Sequence, residues 1–274
     1  MTADVNEHTS TGQNRSTDAQ TVVNRPPERQ PEDGVLTITL ESPSSWDQFH
    51  REIQAYQRGY VWRGQRVDWR LKSSFDRHFG ITDQPCRLRL LLVQLNAFAN
   101  EMEESHPSVL PPRENEIKIW ALGQHYGLRT PLLDWTKCPY IAAYFALEKK
   151  PGNDGDHHRY VYALSRKLER LKWKLKLGDK VLSRTSFVSF VDLEADEFPR
   201  LDKQQGVFTK ALNGADIERN VRRWELKRRG DVLLVKFRIP TQDRDSWLHN
   251  LHEKGIDGVR LLLDLRDVVE RCNK

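Results

Sequence analysis

Thirteen consecutive residues, Gln124-His125-Tyr126-Gly127-Leu128-Arg129-Thr130-Pro131-Leu132-Leu133-Asp134-Trp135-Thr136, gather an imidazole, an aromatic ring, a carboxylate and a hydroxyl. Neutral imidazole both donates and accepts near neutral pH, so His125 suits proton transfer or a sugar hydroxyl. Tyr126 offers a face for a planar ligand. A carboxylate such as Asp134 can stabilise a developing cation or activate an acceptor. Each residue also has a plainer reading: His125 and Tyr126 as core side chains, Asp134 and Thr136 as caps of the helix that follows.

Two further segments carry groups of the same kind. Tyr60-Val61-Trp62-Arg63-Gly64-Gln65 delivers an arginine where a strand opens into a turn. Its permanently charged fork matches a diphosphate, and Gly64 permits a ligand to come close. The plainer reading is an ion pair, with Asp134 as the partner. In Arg200-Leu201-Asp202-Lys203-Gln204-Gln205-Gly206, Gln204 can position a substrate group through its amide and Arg200 can supply a second anion contact. Both equally suit fixing the turn before Val207.

The elements that must position these groups follow from pattern. Pro131 to Trp135 is short and apolar, as a buried strand is, and Pro139 stands in the first turn of a helix with Thr136 as its N-cap. That helix presents Ile141, Tyr144, Phe145 and Leu147. Val35–Leu40, Tyr60–Gln65, Arg159–Leu164, Phe187–Val191, 207–209 and Val232–Ile239 read as strands. Helices are expected from Ser45 through Tyr56, over Arg87–Met102 with Leu88, Leu91, Leu92, Leu95, Phe98 and Ala99 inward, over Glu114–Leu122, over Ser246–Lys254 and over Val259–Arg271. Lys172–Leu177 fits strand and helix alike. Residues 1–34 hold almost no large apolar side chains and read as a disordered tail, leaving 35–274 as a single α+β domain.

Composition narrows the class. The three cysteines, Cys86, Cys138 and Cys272, are scattered and form no CxxC pair, which disfavours a disulfide framework or zinc ribbon and suits a reducing cytoplasm. No metal-ligand cluster is evident, and no apolar run approaches membrane-spanning length. The net charge of +5 is compatible with a polyanionic partner. Arg222, Arg223, Trp224 and Arg228 are the nucleic-acid contacts that this basic, aromatic-bearing stretch suggests, although such runs are commonly solvated helix faces.

Taken in order, Trp62-Arg63-Gly64, the Gln124-to-Ala146 passage with its Leu132-Leu133-Asp134-Trp135-Thr136 core, and Arg200-x-x-x-Gln204-x-Gly206-x-Phe208 resemble the bacterial FRG-domain family. The order is also similar to that of ADP-ribosyltransferases of the arginine, serine-threonine-serine, glutamate-x-glutamate type. That resemblance implies a split β-sheet core with flanking helices and NAD as substrate. Arg63, Gly64, Gln65, Tyr126 and Arg200 would bind NAD, and His125, Asp134, Thr136 and Gln204 would line the reaction centre. It further implies an intracellular toxin or phage-defence effector with an RNA, DNA or protein acceptor and a neutralising antitoxin protein as a partner. One departure stands out: the position matching the catalytic glutamate is Gly206. The rival class is therefore a non-catalytic module that binds nucleotide or nucleic acid.

Overall fold

Ser45 accepts a hydrogen bond from Gln48 N and starts helix α1, Trp46–Glu52, which runs into a 3-10 turn at Ile53–Tyr56. Asp83 and Asn115 cap α3, Gln84–Ser105, and α4, Glu116–His125, in the same way. Strand β2, Tyr60–Gln65, and strand β9, Leu234–Pro240, keep β-branched and aromatic residues buried on both faces, as interior strands require. The computed structural model describes residues 38–150, 157–170, 172–177, 180–193, 203–225, 232–258 and 261. All of them belong to one compact unit, Asp33–Lys274. The expected tail and most of the expected 259–271 helix lie outside the described residues.

The remaining strands are β1 (Ile38–Glu41), β3 (Leu132–Thr136), β4 (His158–Ser165), β5 (Lys172–Leu177), β6 (Lys180–Ser186), β7 (Val188–Val191) and β8 (Gly206–Ala211). Seven of the nine form one mixed sheet in the order β1-β9-β4-β2-β3-β8-β7, while β5 and β6 form a hairpin, so 172–177 is strand. Among the described strands only β1 and β9 run parallel; the other neighbours are antiparallel. The pairings across the sheet are unequal. β2 and β4 match at six positions and β3 and β8 at five, but β2 and β3 meet at one, Trp62 opposite Thr136. In place of the expected split, one sheet holds both halves, joined thinly between β2 and β3.

Helices cover the sheet on both sides. Helix α5, Pro139–Leu147, joins α1 and α7, Arg244–Glu253, over Trp62, Val161, Val235 and Phe237. On the opposite face Val61, Tyr162, Leu164 and Leu234 pack with Ile217 and Val221 of α6, Ile217–Glu225. A third cluster joins α2, Ser74–Phe79, with α3 and α4 over Leu132 and Phe208.

Two expectations need correction. Leu91, Leu95 and Ala99 of α3 are buried, but Leu88 and Leu92 are 56% and 53% exposed. Arg87 takes the inward place one turn before Leu91, because Asp76 neutralises it through bonds of 2.6 and 3.1 Å. The N-cap of α5 is Cys138 rather than Thr136; Ile141 and Leu147 are buried as expected, together with Pro139, Ala142, Ala143 and Ala146, while Tyr144 and Phe145 are only partly buried.

Candidate functional site

Past Trp62 and Thr136 the two strands diverge, and a side chain takes over from the missing ladder. Arg63 Nη1 donates to the Asp134 carbonyl at 2.7 Å and stands 3.9 Å from Asp134 Oδ2. With its amide turned to suit its neighbours, Gln65 accepts from Arg63 Nε at 3.1 Å and donates to the Trp69 carbonyl at 2.9 Å. Burial lowers the Arg63 pKa, Asp134 opposes that shift, and Arg77 adds to it. An arginine starts so basic that it stays charged regardless. Among the described residues no acceptor lies within hydrogen-bond reach of Arg63 Nη2. The ion-pair reading of Arg63 therefore accounts for Nη1, Gln65 takes Nε, and Nη2 is left for a ligand.

Gly64 answers to a different demand from the one expected of it. A Cβ there would lie 1.9 Å from the Ala142 carbonyl oxygen and 2.7 Å from Ala146 N. Gly64 and the small residues Ala142 and Ala146 let α5 settle directly on β2, so the glycine serves helix packing. That contact holds the first turns of α5 beside the seam between β2 and β3.

A cavity of about 560 Å3 opens at this seam. Arg63, His125, Tyr126, Asp134, Thr136 and Gln204 all line it. Helix α4 carries Gln124 and His125 in its last turn, and Tyr126 follows as its C-cap. The His125 and Tyr126 rings meet edge-on at 5.0 Å, with Tyr126 59% exposed. Gly127, at φ +89°, turns the chain from α4 toward β3. Asp134 points outward from an otherwise buried strand and is 62% exposed. Thr136 Oγ1 donates to the Gln204 carbonyl at 2.7 Å and accepts from Cys138 N at 3.1 Å. Thr136 thus ties β3 to the turn before β8. Gln204 Nε2 donates to the Leu261 carbonyl at 3.0 Å, so its amide has a structural task as well.

The sequence reading missed two polar residues of the cavity. Gln124 Nε2 donates to Asp134 Oδ1 at 2.5 Å while its oxygen accepts from Thr130, fixing the carboxylate from behind. Its place beside His125 was the available signal. Glu148, the C-cap of α5, also lines the cavity, and nothing near it in sequence marks it.

Other expected residues fall elsewhere. Gln65 is 2% exposed and holds Arg63 in place without lining the cavity. Arg222 lies on α6, paired with Glu218 at 2.9 Å, away from the cavity. Arg200 and Arg228, and the side chains of Arg223 and Trp224, lie outside the described residues. Among the described residues there is no cluster of three or more His, Cys, Asp or Glu suited to a metal, and no helix long and apolar enough to cross a membrane.

Chemically, the cavity offers one cationic edge for an anion, an exposed aromatic ring, an imidazole and carboxylates on two elements. Residues 58–155, which contain all these elements except Gln204, match the family model described as the FRG domain. No curated protein and no solved structure gives a significant match to the chain.

Proposed function

We propose, from the match of residues 58–155 to the FRG-domain model, that the protein is an NAD-dependent ADP-ribosyltransferase acting as an intracellular toxin or phage-defence effector. One observation carries the reading: six side chains from three distant segments, Arg63, His125, Tyr126, Asp134, Thr136 and Gln204, border a single cavity. Its volume of about 560 Å3 suits a ligand of nucleotide size. The thin join between β2 and β3 is the feature of this sheet nearest to the split-sheet architecture that such enzymes share.

In this reading Arg63 holds the diphosphate through Nη2. Tyr126 faces the nicotinamide and His125 the adjoining ribose. The C1′–nitrogen bond breaks, and nicotinamide leaves with the bonding pair as a neutral base. The acceptor's oxygen or nitrogen bonds to C1′ and gives its proton to a carboxylate. Gly206 cannot act as that carboxylate, but Asp134 and Glu148 both border the cavity.

The test is nicotinamide release from NAD with RNA, DNA and lysate protein as acceptors. Arg63→Ala should lower release at least tenfold, the loss expected when a charged hydrogen bond worth about 1.5–3 kcal/mol goes. Arg63→Lys should recover little, because one ammonium cannot reach Asp134, Gln65 and a phosphate as the spread guanidinium nitrogens do. A wild-type protein that leaves NAD intact would sink the transferase. Gly206 favours the second reading, a non-catalytic module, for which NAD or nucleic acid binds without turnover.

A further inference from the structure

A second depression, of about 300 Å3, lies between the β2–α2 connection, α6 and β9, on the sheet face opposite α5. Two of the three carboxylates that line it, those of Asp68 and Glu218, are neutralised from within. Lys236 Nζ bonds Asp68 Oδ2 at 2.6 Å and stands 3.8 Å from Glu218, and the Tyr162 hydroxyl donates to Asp68 Oδ1 at 2.7 Å. Burial and the bond to Asp68 push the Tyr162 phenol far above its usual range, so it remains a donor. Arg222 occupies Glu218, while the Asp216 carboxylate accepts from the Arg219 backbone N–H at 3.3 Å and, among the described residues, has no cationic side chain within ion-pair reach.

The rim is different. Arg70 and Arg219 border the depression, and among the described residues neither has a carboxylate within ion-pair reach. Beside them Trp69 is 46% exposed, an uncommon place for so large an apolar side chain. Arg66 lies over its ring at 5.7 Å and Gln65 holds its carbonyl, so the indole stands on a fixed turn.

We propose that this depression binds single-stranded nucleic acid, with a base stacked on Trp69 and phosphates held by Arg70 and Arg219. An indole flanked by guanidiniums without acidic partners provides the two attractions a single strand needs, stacking and charge. A duplex keeps its bases stacked inside and cannot use Trp69 in this way. An acidic peptide would engage the arginines and leave the ring idle. The inference deepens the acceptor half of the function proposed above. Of the nucleic-acid contacts expected from the sequence, Arg222 borders this depression, and the side chains of Arg223 and Trp224, like Arg228, lie outside the described residues.

The test uses the full chain and fluorescein-labelled single-stranded RNA and DNA 12-mers, followed by anisotropy from 50 to 200 mM salt. Trp69→Ala should weaken binding roughly tenfold and remove ligand-induced tryptophan quenching. Arg70→Ala and Arg219→Ala should each reduce the slope of log K against log salt by about 0.7. Thermal melts of all three should match the wild type. Absence of binding at 50 mM salt, or binding indifferent to these changes, would overturn the inference, as would a poly-glutamate competitor that displaces the oligonucleotide from wild type and Trp69→Ala alike. NAD turnover on the same preparations is a separate readout: turnover without oligonucleotide binding ends this inference and leaves a protein acceptor, whereas binding without turnover keeps it and ends the transferase.

Discussion

Replacing Gly64 with alanine puts a single methyl group into the contact between β2 and α5. The new carbon would meet the Ala142 carbonyl oxygen at 1.9 Å, where ordinary contact begins at 3.4 Å, so α5 would have to retreat by about 1.5 Å. The obstructing atoms are helix backbone, which cannot rotate away as a side-chain tip can. Overpacking a tight interior costs about 1–3 kcal/mol, and rigid neighbours place this case at or above the top of that range. At roughly 2–4 °C per kcal/mol for a domain of this size, the melting midpoint should fall by about 6–12 °C. Gly127→Ala is the control. That glycine has φ +89° and nothing within 4 Å of the added carbon, so only the conformational cost of roughly 1–2 kcal/mol remains. Calorimetry of the two variants against wild type decides the matter. If Gly64→Ala melts with the wild type and loses only ligand binding, the glycine serves the ligand and the packing argument is wrong.

Asp76→Ala should cost about 3–5 kcal/mol, because it strands the buried Arg87 guanidinium without its partner; a urea midpoint consistent with less than 1 kcal/mol would refute this. Asp192 predicts a pH dependence. Burial raises its pKa, but hydrogen bonds from Arg166 and Lys137 outweigh burial and hold it below the ordinary aspartate value. A lowered carboxylate pKa stabilises the fold above the unfolded-state value and loses that contribution as pH falls through the folded-state value. Asp192→Asn should therefore destabilise at pH 7, by no more than about 1 kcal/mol for so exposed a group, and be neutral near pH 2. An equal effect at both pH values would contradict the assignment.

Local chemistry made much of this protein readable. Ser45 announces α1, Pro139 opens α5, and the apolar brevity of 132–136 marks a strand. That Arg63, Asp134 and Gln204 share a cavity was implied by the resemblance in motif order, and local chemistry alone did not say it. What stayed hidden depends on partners far along the chain. Leu88 and Leu92 look like core until Asp76 is known to admit Arg87. Gly64 looks like a ligand's glycine until Ala142 is placed against it. Glu148 carries no mark at all, since only the course of α5 brings it to the cavity. Trp69, an isolated aromatic in sequence, gains meaning from arginines on α6.

The lone backbone pairing between β2 and β3 has a thermodynamic corollary. Arg63 fastens the two halves of the sheet through the Asp134 carbonyl, and the same guanidinium borders the cavity. A tenant that draws this group toward itself competes with the clasp that closes the sheet. Occupancy and stiffness of the central strands are then coupled quantities, and amide exchange at Asp134 and its strand neighbours would register an arriving anion even where no atom of the tenant touches them.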